Sequence, residues 1–204
     1  MTTAEIDTPH GPARAELHCA DEGVAGLLLG HGAGGGIDAP DLVAVAGAAR
    51  AAGVHVALVE QPYRVAGRKA PAPAKQLDAA WLAVVDELSG RWFEGLPLVF
   101  GGRSSGARVA CRTAAEGRAD AVLCLAFPEH PPGKPEKSRQ PELDDVEVPT
   151  LVVQGEKDPF GRPEPGPRRD IVMVAGDHSL KADLDGVSRA AGEWLGRVIR
   201  PLIA

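Results

Sequence analysis

From residue 24 onward, short runs rich in Val and Leu alternate with longer stretches whose apolar residues recur at helical spacing. That alternation restricts the fold more than any other feature of the chain. Strand, helix and strand in succession build a mostly parallel sheet with helices on its faces, so the class is α/β. Strands are expected at 13–19, 24–29, 54–60, 96–101, 121–127, 149–154 and 170–175, about seven in all, with the first as an antiparallel edge. Helices are expected at 40–52, 74–89, 105–116 and 181–199. Pro40 suits a first helical turn and Gly53 a left-handed stop. Leu77, Trp81, Val84 and Leu88 fall on one face of the second helix, and Leu184, Val187, Leu195 and Val198 form a stripe on the last. The helix at 105–116 is rich in Ala and Gly, so it can lie close against the middle of the sheet. Two proline-rich stretches, 128–141 and 159–167, are too polar and broken to bury a core and are expected as surface loops. No segment is long enough for a cap. The 204 residues suit one domain, with residues 1–12 as a flexible lead-in.

Several function classes fall away on composition. The net charge is −6, and no basic run is interleaved with aromatics as a phosphate backbone would require, so nucleic acid is not expected as a partner. The first sixteen residues lack the basic start and apolar core of a signal peptide, and no stretch approaches the length of a membrane span. A soluble, cytoplasmic protein with no membrane partner is expected. Cys19, Cys111 and Cys124 show no CxxC spacing, which points to reduced thiols and no metal site. The oligomeric state is left open.

The chemistry starts at Gly102-Arg103-Ser104-Ser105-Gly106, directly after the apolar run 96–100 and before a helical pattern. A strand-to-helix turn of this kind strains its central serine and exposes the hydroxyl, and only small neighbours relieve the crowding. Ser104 is therefore the expected nucleophile, with the adjacent Ser105 as the lesser alternative. A serine hydroxyl needs a base to take its proton and an acid to orient that base. Only His130 and His178 follow Ser104, and His178 lies just past the strand at 170–175, on the edge where a doubly wound sheet presents its site. Asp158, four residues past the strand at 149–154, is the expected acid; Glu129, past the strand at 121–127, is the rival, and Asp177 is set aside as a cap for the following helix. The order serine, aspartate, histidine is that of α/β-hydrolases. An oxyanion hole is expected from the backbone N–H groups of Ser105 and Ala33, with Gly34 as second choice, because the loop from Gly30 to Gly36 can turn bare amides toward a ligand. His31, Tyr63 and His130 are expected around the substrate rim, His31 chiefly tying down its loop by hydrogen bonds.

Gly30-His31-Gly32-Ala33-Gly34-Gly35 also satisfies the Gly-x-Gly-x-x-Gly dinucleotide fingerprint, with an acidic residue, Glu60, closing a later strand. A dinucleotide site needs a helix that opens inside the glycines so that its N-terminus meets the pyrophosphate. Ile37, Asp38 and Pro40 put the helix start several residues later, so no cofactor is expected.

Together, the His31 loop, the Ser104 turn, Asp158 and His178 resemble α/β-hydrolases of the small lidless branch related to dienelactone hydrolases. Pro62-Tyr63, Gly67-Arg68, the segment His130 to Pro135 and the segment Val153 to Gly161 resemble more closely the KANSL-type, testis-expressed hydrolase-like domain, which also occurs in bacteria. Arg103-Ser104-Ser105-Gly106-Ala107 departs from the Lys-Ser-Met-Gly-Gly common in that group. The resemblance implies a three-layer α/β/α sandwich without a cap and a Ser104, Asp158, His178 triad. These residues point to a serine hydrolase acting on a small-molecule acyl substrate, and the lack of a segment long enough for a cap favours small or soluble substrates over long lipids. The alternative is a catalytically silent scaffold that binds a protein partner.

Overall fold

The computed structural model describes residues 2–203. Its strands are β1 (Thr2–Ile6), β2 (Ala13–His18), β3 (Ala25–Gly30), β4 (Val54–Glu60), β5 (Leu98–Arg103), β6 (Ala121–Leu125), β7 (Thr150–Gly155) and β8 (Arg169–Val174). Its helices are α1 (Pro40–Ala51), α2 (Pro62–Val65), α3 (Ala74–Arg91), α4 (Ser105–Thr113), α5 (Gln140–Asp144) and α6 (Leu184–Ile199). The strands form one sheet in the order β1-β2-β4-β3-β5-β6-β7-β8. β1 and β2 run antiparallel to their neighbours and every other pair is parallel.

Both faces of the central strands are apolar and covered, as a parallel sheet requires. One face buries Trp81, Val84 and Leu88 of α3 with Ala107 and Ala110 of α4. The other buries Leu42, Val45 and Ala49 of α1 with Val187, Ala191 and Leu195 of α6. The result is a three-layer α/β/α sandwich with, among the described residues, no cap over the carboxyl ends of the strands. The strand order reverses between β3 and β5, and such a switch point opens a crevice at those ends.

Among the described residues the expected seven strands become eight. Thr2–Ile6, within the stretch expected to be flexible, pairs along its full length with β2. Only Ile6 of that strand is fully buried, so its sequence carries no strong alternation, and the backbone ladder supplies the pairing instead. β2 consequently lies inside the sheet and not at its edge. Parts of the loop regions are also helical: α2 and α5 each open on a proline in their first turn, where the missing N–H costs nothing. Met173 is 38% exposed on the edge strand β8. No helix among the described residues is long and apolar enough to cross a membrane.

Candidate active site

β5 ends at Arg103 and α4 begins at Ser105, so Ser104 alone makes the turn between them. It does so at φ 52° and ψ −108°, a backbone conformation that costs a side-chain-bearing residue about 1–3 kcal/mol. The Ser104 N–H donates to Leu125 O at 2.9 Å, which ties the turn to β6. Its hydroxyl lies 2.9 Å from His178 Nε2, and His178 Nδ1 lies 2.8 Å from Asp158 Oδ2. The structure thus brings together one serine, the histidine after β8 and the aspartate after β7.

The Asp158 side chain is fully buried. Its Oδ1 accepts the Phe160 N–H at 2.8 Å, and its Oδ2 accepts from Gln154 Nε2 at 2.9 Å as well as from His178. A carboxylate can only accept, so the imidazole proton sits on Nδ1 and Nε2 is left to accept the serine proton. Phe160 stacks on the imidazole, ring centroids 4.1 Å apart. The acid and base loops are sewn together by Lys157 N–H donating to Gly176 O at 2.8 Å and Glu156 N–H to Val174 O at 2.9 Å.

Gln154 was not singled out from the sequence. Its amide nitrogen reaches Phe127 O, Asp158 Oδ2 and Gly161 O at 2.9 to 3.1 Å, which clamps the acid between three segments. A glutamine directly after Leu151, Val152 and Val153 in a wholly buried strand is the signal that marks it.

Glu129, the rival acid, is engaged elsewhere: it accepts from the Ser138 hydroxyl and stands 3.6 Å from His130 Nε2. Asp177 accepts the Ser179 N–H and hydroxyl, closing its own turn, and Asp183 caps α6 in its place. His130 donates from Nδ1 to Pro131 O and packs over Gly161, behind the Asp158 turn. Ser105 is the first residue of α4, so its N–H has no acceptor within the helix.

The glycine loop after β3 runs beside the serine: a Cβ on Gly32 would lie 3.7 Å from Ser104 Cβ. α1 starts only at Pro40, so the glycines belong to a loop and not to a helix N-terminus. His31 is only 3% exposed, so it lies under the loop and not on an open rim. It donates from Nδ1 to Gly32 O at 2.8 Å and accepts the Gln61 N–H at Nε2, 3.1 Å away. Gly35 N–H also donates to Gly32 O, and these bonds fix the peptide that carries the Ala33 N–H. The Tyr63 hydroxyl donates to Ala33 O at 2.8 Å, which fixes the next peptide and with it the Gly34 N–H. Tyr63 is likewise buried, and burial pushes its hydroxyl pKa up, keeping it a donor. It borders a cavity of about 290 Å³ with His10, Gln61, Arg68 and Leu77. Tyr63→Phe leaves the Ala33 carbonyl without this donor and is expected to lower stability by about 1 kcal/mol, the worth of one neutral hydrogen bond. Thermal unfolding of the two proteins checks it.

Burial lowers the His31 pKa below 6.5, against smaller opposing effects from the Gly32 hydrogen bond and Glu60. Between the folded and unfolded values the unfolded chain binds more protons. The His31 contribution to stability is therefore complete above about pH 6.5 and declines as pH falls through that value toward the folded pKa. His31→Gln is expected to flatten the fall in thermal midpoint between about pH 7 and pH 5. Parallel curves for the two proteins would contradict this.

No group of three or more His, Cys, Asp or Glu side chains among the described residues is arranged to hold a metal ion. The sequence profile described as "Alpha/beta hydrolase domain" matches residues 23–190. No curated protein sequence matches the chain. Among solved structures, a lidless α/β serine hydrolase from Xanthomonas campestris superposes with a TM-score of 0.78 at 19% identity, covering 97% of this chain and 94% of the other. Est1E from Butyrivibrio proteoclasticus gives 0.79 at 18%, covering 97% and 99%. A dienelactone hydrolase from Anabaena variabilis gives 0.76 at 18%, covering 98% of each chain. Fold, strand-end geometry and profile agree, and the chain belongs to the alpha/beta hydrolase domain family.

Proposed function

We propose that the protein is a serine hydrolase that cleaves a small or soluble ester-type acyl substrate through an acyl-enzyme. The observation that carries this reading is the unbroken hydrogen-bonded chain from Asp158 through His178 to a strained Ser104. In the first half-reaction Ser104 Oγ bonds to the acyl carbon while its proton passes to His178 Nε2. Asp158 keeps the imidazole oriented and stabilises its charged form. The oxyanion accepts from the N–H groups of Ser105 and of Ala33, with Gly34 as the neighbouring choice. Collapse breaks the bond to the leaving alkoxide, which takes the proton from Nε2. Water then gives its proton to Nε2 and attacks the acyl carbon; the proton returns to Ser104 Oγ as the acid leaves.

The strand ends carry no cap among the described residues, and an open site of this kind favours small or soluble acyl groups over long lipids. The proline and aspartate motifs around His130 and Asp158 support grouping the chain with the KANSL-type hydrolase-like domains. The test is labelling by a fluorophosphonate probe together with hydrolysis of a short-chain nitrophenyl ester, in the parent and in Ser104→Ala. Both signals in the parent and neither in the variant are expected. A parent with neither signal overturns the reading, and labelling retained in the variant moves the nucleophile to another residue.

A further inference from the structure

Arg103, the last residue of β5, pairs with Asp41, in the first turn of α1. Arg103 Nε stands 2.9 Å from Asp41 Oδ2, and the Asp41 side chain is 1% exposed. The two groups are close without the alignment of a hydrogen bond, so the contact is one of charge. Burial pushes the Asp41 carboxyl up, and the Arg103 charge and the N–H groups at the start of α1 oppose that.

The other guanidinium nitrogens reach different segments. Nη2 donates to the carbonyl oxygen of His178 at 3.0 Å. Nη1 lies against Gly32, where an added Cβ would come within 3.0 Å of it. One planar cation thus touches α1, the His178 loop and the glycine loop, and its own backbone is joined to Ser104. A pair serving stability alone has little need of these contacts, because a buried ion pair can often be exchanged for apolar side chains without loss. An apolar side chain cannot donate to the His178 carbonyl, and a lysine lacks the rigid fork that reaches three places at once.

We propose that Arg103, anchored by Asp41, is a positioning residue that sets the His178 backbone and the Gly32 peptide relative to Ser104. Asp158 and Phe160 hold the His178 ring, and Arg103 holds the backbone from which that ring hangs. The kinetic consequence rests on the serine-hydrolase reading; the spectroscopic one does not.

Three variants test the proposal: Arg103→Lys, Arg103→Met, and the double variant Asp41→Leu with Arg103→Met. Arg103→Met strands the buried Asp41 charge, so it loses thermal stability as well as rate. The double variant removes both charges and regains much of that stability. Its kcat and its fluorophosphonate labelling rate stay about tenfold to a hundredfold below the parent, as expected for a site misplaced by a fraction of an ångström to an ångström, while KM changes less than about threefold. Arg103→Lys keeps Asp41 paired and still loses about tenfold in kcat, because a point charge cannot replace the fork. A second readout is the imidazole proton between His178 and Asp158, followed by proton NMR. It is sharp in the parent and broadened or shifted in the double variant and in Arg103→Lys. Parental kcat in the double variant or in Arg103→Lys, or an unchanged proton resonance, overturns the proposal. A parent that neither labels nor hydrolyses ester overturns the hydrolase reading instead, and the resonance then decides the role of Arg103.

Discussion

Ser104→Ala is expected to fold like the parent and to turn over ester about 10⁴- to 10⁶-fold more slowly, because the triad acts as a unit and losing its nucleophile forfeits nearly all that it contributes. Substrate binding should change little, since the hydroxyl is consumed in the chemical step. Purified variant and parent compared by kcat, KM and burst amplitude at equal active-site concentration check this; a variant within about tenfold of the parent would show that another group attacks. Stability supplies an independent sign. The turn holds Ser104 at φ 52°, and alanine keeps the Cβ that makes this conformation costly. Ser104→Gly removes it, so that variant is expected to be more stable than Ser104→Ala by about 1 kcal/mol while equally inactive. A strained residue that stabilises when relaxed and inactivates when changed is the behaviour of a site that trades stability for function.

Gly106→Ala is expected to have the largest effect on folding. A Cβ there would lie 2.3 Å from Gly30 O, 2.6 Å from Gly30 C and 2.9 Å from His31 O, all backbone atoms that no rotamer change can move. α4 would have to withdraw from β3, and overpacking of this kind costs about 3 kcal/mol. In a chain of this size that lowers the thermal midpoint by about 6 to 12 °C. The N–H of Ser105 would move with the helix, so kcat should fall about a hundredfold in whatever protein remains folded. Thermal unfolding and ester hydrolysis measure the two losses separately. A midpoint and kcat equal to the parent's would mean that α4 does not lie against β3 as closely as these distances state.

Ser104, Asp158 and His178 are legible from local information. Each lies just past an apolar run, and a parallel sheet brings all such positions to one edge, whatever the strand order. Where the structure adds to the sequence, the missing information is of another kind. Gln154 reads as one more strand residue until the chain folds and its amide meets Phe127, Asp158 and Gly161. Asp41 is an acidic residue in the first turn of α1, and only the folded chain puts the Arg103 guanidinium beside it. Thr2–Ile6 has too few buried side chains to show a period, so the strand is visible only through its pairing with β2. His31 and Tyr63 were legible as residues near the site, but whether they face substrate or hold the loop from beneath follows from burial, which depends on what folds over them.

By itself, the sequence determined the α/β class, the glycine-flanked serine turn and the order of serine, acid and base. These follow from period, turn chemistry and chain order, all of which are local. Tertiary structure alone decided which acid meets His178, which peptide planes are held beside Ser104, and that Arg103 joins α1 to two loops. Those are distances between segments far apart in the chain, and they come into being only when close packing of the sheet and its helices brings the segments together.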